Sequence, residues 1–99
     1  MITFVRTTVA MPGKLFELLA VAKEIAGLVK RVTGKDLAVS AAVGGVVGEI
    51  AWIAHYDSLA QLDEGNAKIM ADAEVRSMVK KLEGLVVPGT TRDHLWRHL

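Results

Sequence analysis

The chain has 99 residues, 52% of them hydrophobic and 23% charged, with 12 Lys and Arg against 11 Asp and Glu, a formal charge of +1 and no cysteine. That size predicts one domain with one core, and the apolar content excludes a disordered segment. Scattered charge, with no basic run longer than Lys30-Arg31 or Lys80-Lys81, excludes a phosphate-tracking surface, and the missing cysteines exclude disulfides, thiolate catalysis and Cys-ligated zinc or iron–sulfur centres.

Residues 2–9, rich in Thr, Val, Ile and Phe and followed by Pro12-Gly13, predict a first strand and lack the build of a secretory signal. From Lys14 onward, Leu15, Leu18, Leu19, Ala22, Ile25, Ala26, Val29 and Val32 recur at three- and four-residue spacing. Lys14, Glu17, Glu24 and Arg31 fall elsewhere, which predicts an amphipathic helix stopped by Gly34. Residues 37–43 alternate, Leu37, Val39, Ala41 and Val43 on one face and Ala38, Ser40 and Ala42 on the other, as a strand does. Gly44-Gly45 then turns the chain into a second hairpin strand over residues 49–56. The apolar run 38–54 is shorter than the roughly 20 residues a membrane-spanning helix needs and contains Gly44, Gly45, Gly48 and Glu49, so it reads as two buried strands.

Ser58 and Gln61 fit a capping box, opening a helix that turns Leu59, Leu62, Ile69 and Met70 inward. The pattern breaks at residues 71–73, where Asp72 is placed to cap a second piece carrying Val75, Met78, Val79 and Leu82 before Gly84 stops it. Residues 85–87 and 90–97, split by Pro88-Gly89, supply the last extended segment, with Arg92, His94 and Trp96 alternating with Asp93 and Leu95. Strand–helix–strand twice over is the order of an α+β ferredoxin-like βαββαβ domain, a four-stranded antiparallel sheet with two helices on one face.

Such helices cover one face of the sheet, yet both faces are apolar here. Ile50, Trp52, Ala54 and Tyr56 share one side of the hairpin strand, Ala51 and Ile53 lie between Glu49 and His55 on the other, and Ile2 and Phe4 oppose Val5 and Val9 in the first strand. An uncovered apolar face of that size usually marks an association site. The expectation is a homodimer packed sheet to sheet.

Val5-Arg6-Thr7-Thr8 with Pro12-Gly13-Lys14-Leu15 and Glu17-Leu18-Leu19 resembles the start of NIPSNAP-like domains. Gly48-Glu49-Ile50, then Ala54-His55-Tyr56-Asp57-Ser58-Leu59-Ala60, and Asp72-Ala73-Glu74-Val75 are similar to that family's hairpin strand, helix start and acidic helix break. The resemblance implies a dimeric α/β barrel, in which two ferredoxin-like subunits pair their sheets. Relatives there include cofactor-free monooxygenases, haem-degrading enzymes, dehydratases and many uncharacterised proteins, so fold alone does not name a reaction.

Among individual residues, Arg6 is the most informative, because a guanidinium in an otherwise uncharged strand must find a carboxylate, carbonyls, water or an anionic ligand. It either pairs internally, with Glu49 or Asp93, or anchors a carboxylate or enolate. Trp52 and Tyr56 share a strand face and either fill the core or wall a pocket, with the phenol as donor or proton-transfer group. Asn66 faces a pocket or solvent. His55 belongs to the opposite face, at a rim or interface, while His94 and His98 stand about 13 Å apart on a strand, too far to share one ion.

The expected function is binding or transformation of a small hydrophobic carbonyl or carboxylate compound, with cofactor-independent oxygenation or isomerisation as the reaction type. Phe4, Arg6, Trp52 and Asn66 are the candidate ligand-binding residues, and Tyr56 and Arg6 the candidate catalytic ones. No metal, cofactor, nucleic acid or membrane span is expected, and the location is cytoplasmic. The rival expectation is a non-catalytic dimeric module that works by contacting another protein.

Overall fold

Side-chain alternation along the two central strands decides which face of the sheet the helices cover. The computed structural model describes residues 1–99 and runs β1 (Ile2–Val9), α1 (Leu15–Thr33), β2 (Ala38–Ala41), β3 (Glu49–Tyr56), α2 (Leu59–Ala71), α3 (Ala73–Lys80) and β4 (Arg92–Arg97). The sheet order is β2-β3-β1-β4, and every neighbouring pair is antiparallel. This is the expected ferredoxin-like α+β arrangement, with the second helix in two pieces. No helix is long and apolar enough to cross a membrane.

Register places Ile2 opposite Tyr56, Phe4 opposite Ala54, Arg6 opposite Trp52 and Thr8 opposite Ile50, so all eight share the helix-facing side. β4 extends that side with Asp93 opposite Arg6 and Leu95 opposite Phe4. Against it α1 buries Leu18, Ala22, Ile25 and Val29, which form one cluster with Ala10, Ile50 and Trp52. Each such large aliphatic side chain stabilises the fold by roughly 1.5–3 kcal/mol when fully buried. Ala22 has no exposed surface, and its small side chain lets the Trp52 indole reach the helix backbone, where Nε1–H donates to the Ala22 carbonyl at 3.2 Å.

Helix ends follow the capping residues. Gly34, at φ 73°, closes α1 in the left-handed conformation that glycine tolerates best, its N–H bonded to the Lys30 carbonyl. At α2 the Ser58 hydroxyl accepts the Gln61 N–H at 3.1 Å, and the Gln61 side chain accepts from Asp57 N–H at 2.8 Å, one residue before the reciprocal partner of a standard capping box. Asp72 ends α2 and caps α3 by accepting Val75 N–H at 3.0 Å. Its carboxylate also takes the α1 guanidinium of Arg31 at 3.2 Å, which ties the helix break to α1.

Three expectations need correction. β2 stops at Ala41, not at residue 43, because residues 42–48 form a glycine-rich loop with Gly45 and Gly48 at positive φ and Val43 wholly exposed. Leu59 and Met70 do not turn into a core: they are 46% and 67% exposed, and α2 buries no residue. The reason is that α2 leans on α1 and turns Leu62 onto the Ile2, Ala54 and Tyr56 cluster and Ile69 onto the main core, which leaves Leu59 and Met70 off the line of contact. Finally, the segment after Gly84 joins the sheet first through a single bridge, Val86 to Ala10, before β4 begins at Arg92.

The far side of the sheet carries Thr3, Val5, Thr7 and Val9 of β1, Ala51, Ile53 and His55 of β3, and His94 and Trp96 of β4, by the same alternation. No element of the chain packs over it, and Trp96 is 62% exposed.

Two substitutions should move stability in opposite directions. Gly27 lies inside α1 with open space where a Cβ would go, so Gly27→Ala should stabilise by about 0.5–1 kcal/mol. Ser58→Ala should remove the α2 cap and cost about 1 kcal/mol. Thermal denaturation reads both as Tm shifts of roughly 4–8 °C per kcal/mol for a domain this size.

Candidate active site

Between the contacts that α2 makes with α1 and with β3, the helix-facing side is not filled. A cavity of about 610 Å³ lies between strands and helices, floored by Phe4, Arg6 and Thr8 of β1 with Trp52 and Tyr56 of β3. Ile25 and Val29 of α1 form one wall; Asn66, Ile69 and Met70 of α2 with Val75, Arg76 and Lys80 of α3 form the other. The lining is mostly apolar with a few polar groups, and the volume falls in the roughly 300–1,000 Å³ range of small-molecule pockets.

Arg6 sits at the β4 side of this cavity. Its Nε–H donates to Asp93 Oδ1 at 2.6 Å and Nη2–H to Oδ2 at 2.8 Å, a bidentate pair that follows from Asp93 standing opposite Arg6 in the register. The guanidinium carbon also lies 5.5 Å from the centre of the Phe4 ring, a cation–π approach. Of the two partners weighed from the sequence, Asp93 is the one used. The hydrogen bond to Asp93 raises the Arg6 pKa above its ordinary value, and the hydrogen bond from Arg6 lowers that of Asp93. Nη1 carries no bond within the chain, so one edge of the oriented guanidinium stays available.

Trp52 and Tyr56 are both buried, and they differ in what their polar atoms can do. The indole N–H is engaged by the Ala22 carbonyl, so Trp52 offers the cavity an apolar wall and no donor. Burial pushes the Tyr56 phenol further above its usual pKa of 10.0, so at neutral pH it is a hydrogen-bond donor and not a base. The Lys35 ammonium lies 5.0 Å from the Tyr56 ring centre on the side of a second, smaller cleft. Asn66 is exposed overall yet lines the cavity at its rim. Thr8 Oγ1 and Thr91 Oγ1, 3.0 Å apart, satisfy one another at the floor.

Phe4, Arg6, Trp52, Tyr56 and Asn66, singled out from the sequence, therefore line one cavity. The histidines do not join them. His55 Nδ1 and His98 Nε2 lie 3.0 and 2.6 Å from Thr3 Oγ1 on the far face of the sheet. Sequence reasoning missed Arg76, Lys80 and Glu83, which α3 and the turn after it add to the lining. The signal available was their spacing, since Arg76 and Lys80 are four apart and share a helix face.

No protein-family model matches the sequence, and no curated protein matches it. Solved structures do match its shape. A NIPSNAP family protein of unknown function from Agrobacterium tumefaciens superposes with a TM-score of 0.81 at 23% identity, over 99% of this chain and 87% of that one. An uncharacterised NIPSNAP domain protein from Burkholderia xenovorans gives 0.85 at 14% identity, over 100% and 95%. An antibiotic biosynthesis monooxygenase gives 0.74 at 13% identity, over 100% and 99%. The chain thus has the fold of NIPSNAP family proteins, as the sequence resemblance implies, and shares it with monooxygenase-type ferredoxin-like proteins.

The Arg6–Asp93 pair predicts a pH dependence. Asp93 has a folded-state pKa below its unfolded value of about 3.9, so the pair contributes stability above that pH and loses it as pH falls through the lower folded value. Both side chains are nearly half exposed, 47% and 46%, so the contribution should stay below about 1 kcal/mol. Asp93→Asn should lower Tm at pH 7, and the gap from wild type should close as pH falls below the unfolded value and through the lowered folded one.

Proposed function

We propose that this chain is one subunit of a homodimer whose cavity binds, and in the catalytic reading transforms, a small hydrophobic carbonyl or carboxylate compound. The observation that carries this reading is the convergence of Arg6, Tyr56 and Asn66 on one apolar cavity of about 610 Å³. Arg6, held in fixed orientation by Asp93, leaves Nη1 without a bond within the chain and so has donor capacity to spare for a ligand. Phe4 and Trp52 contact the apolar body, and Asn66 meets it at the rim.

The reaction class that suits these groups passes through an enolate. Glu83, the carboxylate of the lining that no ion pair engages, takes the proton alpha to the carbonyl as general base, while Arg6, which stays cationic, and the protonated Tyr56 phenol stabilise the negative charge developing on the carbonyl oxygen. Proton transfer back to a different carbon gives isomerisation. Attack on dioxygen, with one oxygen atom kept as a methylene becomes a carbonyl and the other leaving as water, gives oxygenation without a cofactor; the fold shared with an antibiotic biosynthesis monooxygenase supports the oxygenase class. The lining holds no histidine or cysteine to ligate a metal. A reducing compartment, the cytoplasm, suits a chain without cysteine.

Support for the dimer comes from the far side of the sheet. Only 12 of 99 residues are buried in the single chain, and Val5, Ala51, Ile53 and Trp96 share a face that no helix covers. A second sheet packed there would complete the burial that a domain of this size needs.

Sedimentation at micromolar concentration should give a dimer, and Ile53→Asp should convert it to monomer. Prodan, a neutral fluorescent aromatic ketone, should bind the wild type and bind at least roughly tenfold more weakly to Arg6→Met and Tyr56→Phe, about 1.4 kcal/mol each, with the dimer intact. Equal prodan binding in all three proteins would overturn the site, and no binding in any would favour a dimer that works by protein contact alone.

A further inference from the structure

The cavity rim carries charge that the reading above leaves unassigned. α3 contributes Arg76 and Lys80 to the lining, four residues apart and therefore neighbours on one face of the helix, where like charges repel. Neither takes part in a salt bridge: the ion pairs of the chain use Arg6, Lys14, Lys30 and Arg31. Arg76 Nη1–H donates to the Met70 carbonyl at 2.7 Å, which holds its guanidinium across the break between α2 and α3.

Arg6, by contrast, is already matched by Asp93 through both Nε and Nη2. Once that pair is set aside, the charged groups of the lining are Arg76 and Lys80 against the single carboxylate of Glu83. The excess positive charge of the cavity thus lies on α3 and not on the strand that holds Arg6. We infer that Arg76 and Lys80 are the specificity-determining pair of this site, selecting an apolar ligand with an anionic head group such as a carboxylate.

The inference rests on the cavity being a ligand site, and it refines that reading. The apolar body lies among Ile25, Val29, Trp52 and Val75; the head group takes charge-assisted hydrogen bonds from α3, which are stronger than neutral ones. Arg6, oriented by Asp93, is left to the carbonyl end of the same molecule. Charge complementarity, and not shape alone, then separates an acid from its neutral analogue.

Two fluorescent probes with the same rings test this: anilinonaphthalenesulfonate, which is anionic, and phenylnaphthylamine, which lacks the sulfonate. The wild type should bind the sulfonate roughly tenfold more tightly, with a preference that falls as salt rises. Arg76→Met with Lys80→Met should abolish that preference while phenylnaphthylamine binds as before. Arg76→Lys should retain it. Lys80→Met alone, which removes no hydrogen bond within the chain, should lose part of it and serves if the double variant does not fold.

Ile69→Trp, or Met70→Trp if the first does not fold, fills the cavity and should weaken both probes. Should the filled variants bind both probes as the wild type does, the cavity reading itself falls. Should filling abolish both probes while the double variant keeps the wild-type preference, or should the wild type bind the two probes equally, only the anion inference is overturned.

Discussion

The seating of α1 on β3 through Ala22 and Trp52 governs the rest of the molecule. A larger residue at Ala22 would lift the helix; alanine there lets the indole pass beneath the helix and bond its backbone, in the middle of the cluster of Leu18, Ile25, Val29 and Ile50. Close packing of this kind fixes distances, because interiors have little free volume to absorb a shift. With α1 set against β3 and β2, the second helical segment finds its place against α1 and against the Tyr56 end of β3.

That order of dependence explains the cavity. Arg31 of α1 reaches the Asp72 carboxylate at the break between α2 and α3, with Glu74 at 3.8 Å, so the joint is fastened to α1. α2 comes down on the sheet at the Tyr56 end, with Leu62 against the Ile2, Ala54 and Tyr56 cluster and Gly65 leaving room for the ring. Between these two fixings the helices bridge a stretch of sheet without filling it, and the strand residues beneath, Phe4, Arg6 and Trp52, become a floor. The polar character of that floor comes from register: a β4 that puts Asp93 opposite Arg6 turns a lone guanidinium into an oriented one.

The two faces of the sheet are consequently different in kind. The helix-facing side holds the buried aromatics, the bidentate ion pair and an interior space. The far side holds Val5, Ile53 and Trp96 together with His55, His94 and His98, and its best-defined polar feature is the Thr3 hydroxyl between His55 and His98. Strand alternation segregates these sets, so the imidazoles are kept away from the cavity and their chemistry is separate from it.

Much of this was legible in the residue order, for local reasons. Period-two alternation fixed which side of β3 carries Ile50, Trp52, Ala54 and Tyr56; Gly34, Ser58 and Asp72 marked helix ends because capping is satisfied within a few residues. Arg6 stood out because a charge in an apolar strand requires a partner. What stayed illegible depends on distances between segments far apart in the chain. Leu59 and Met70 carry the same helical core pattern as Leu62 and Ile69, yet which of the four reach the core depends on the Arg31–Asp72 tie and the seating of Gly65 beside Tyr56, which no local pattern encodes. The choice of Asp93 over Glu49 for Arg6 and the arrival of Arg76 and Lys80 at the cavity were likewise settled by strand register and helix placement, since only the folded chain brings those groups together.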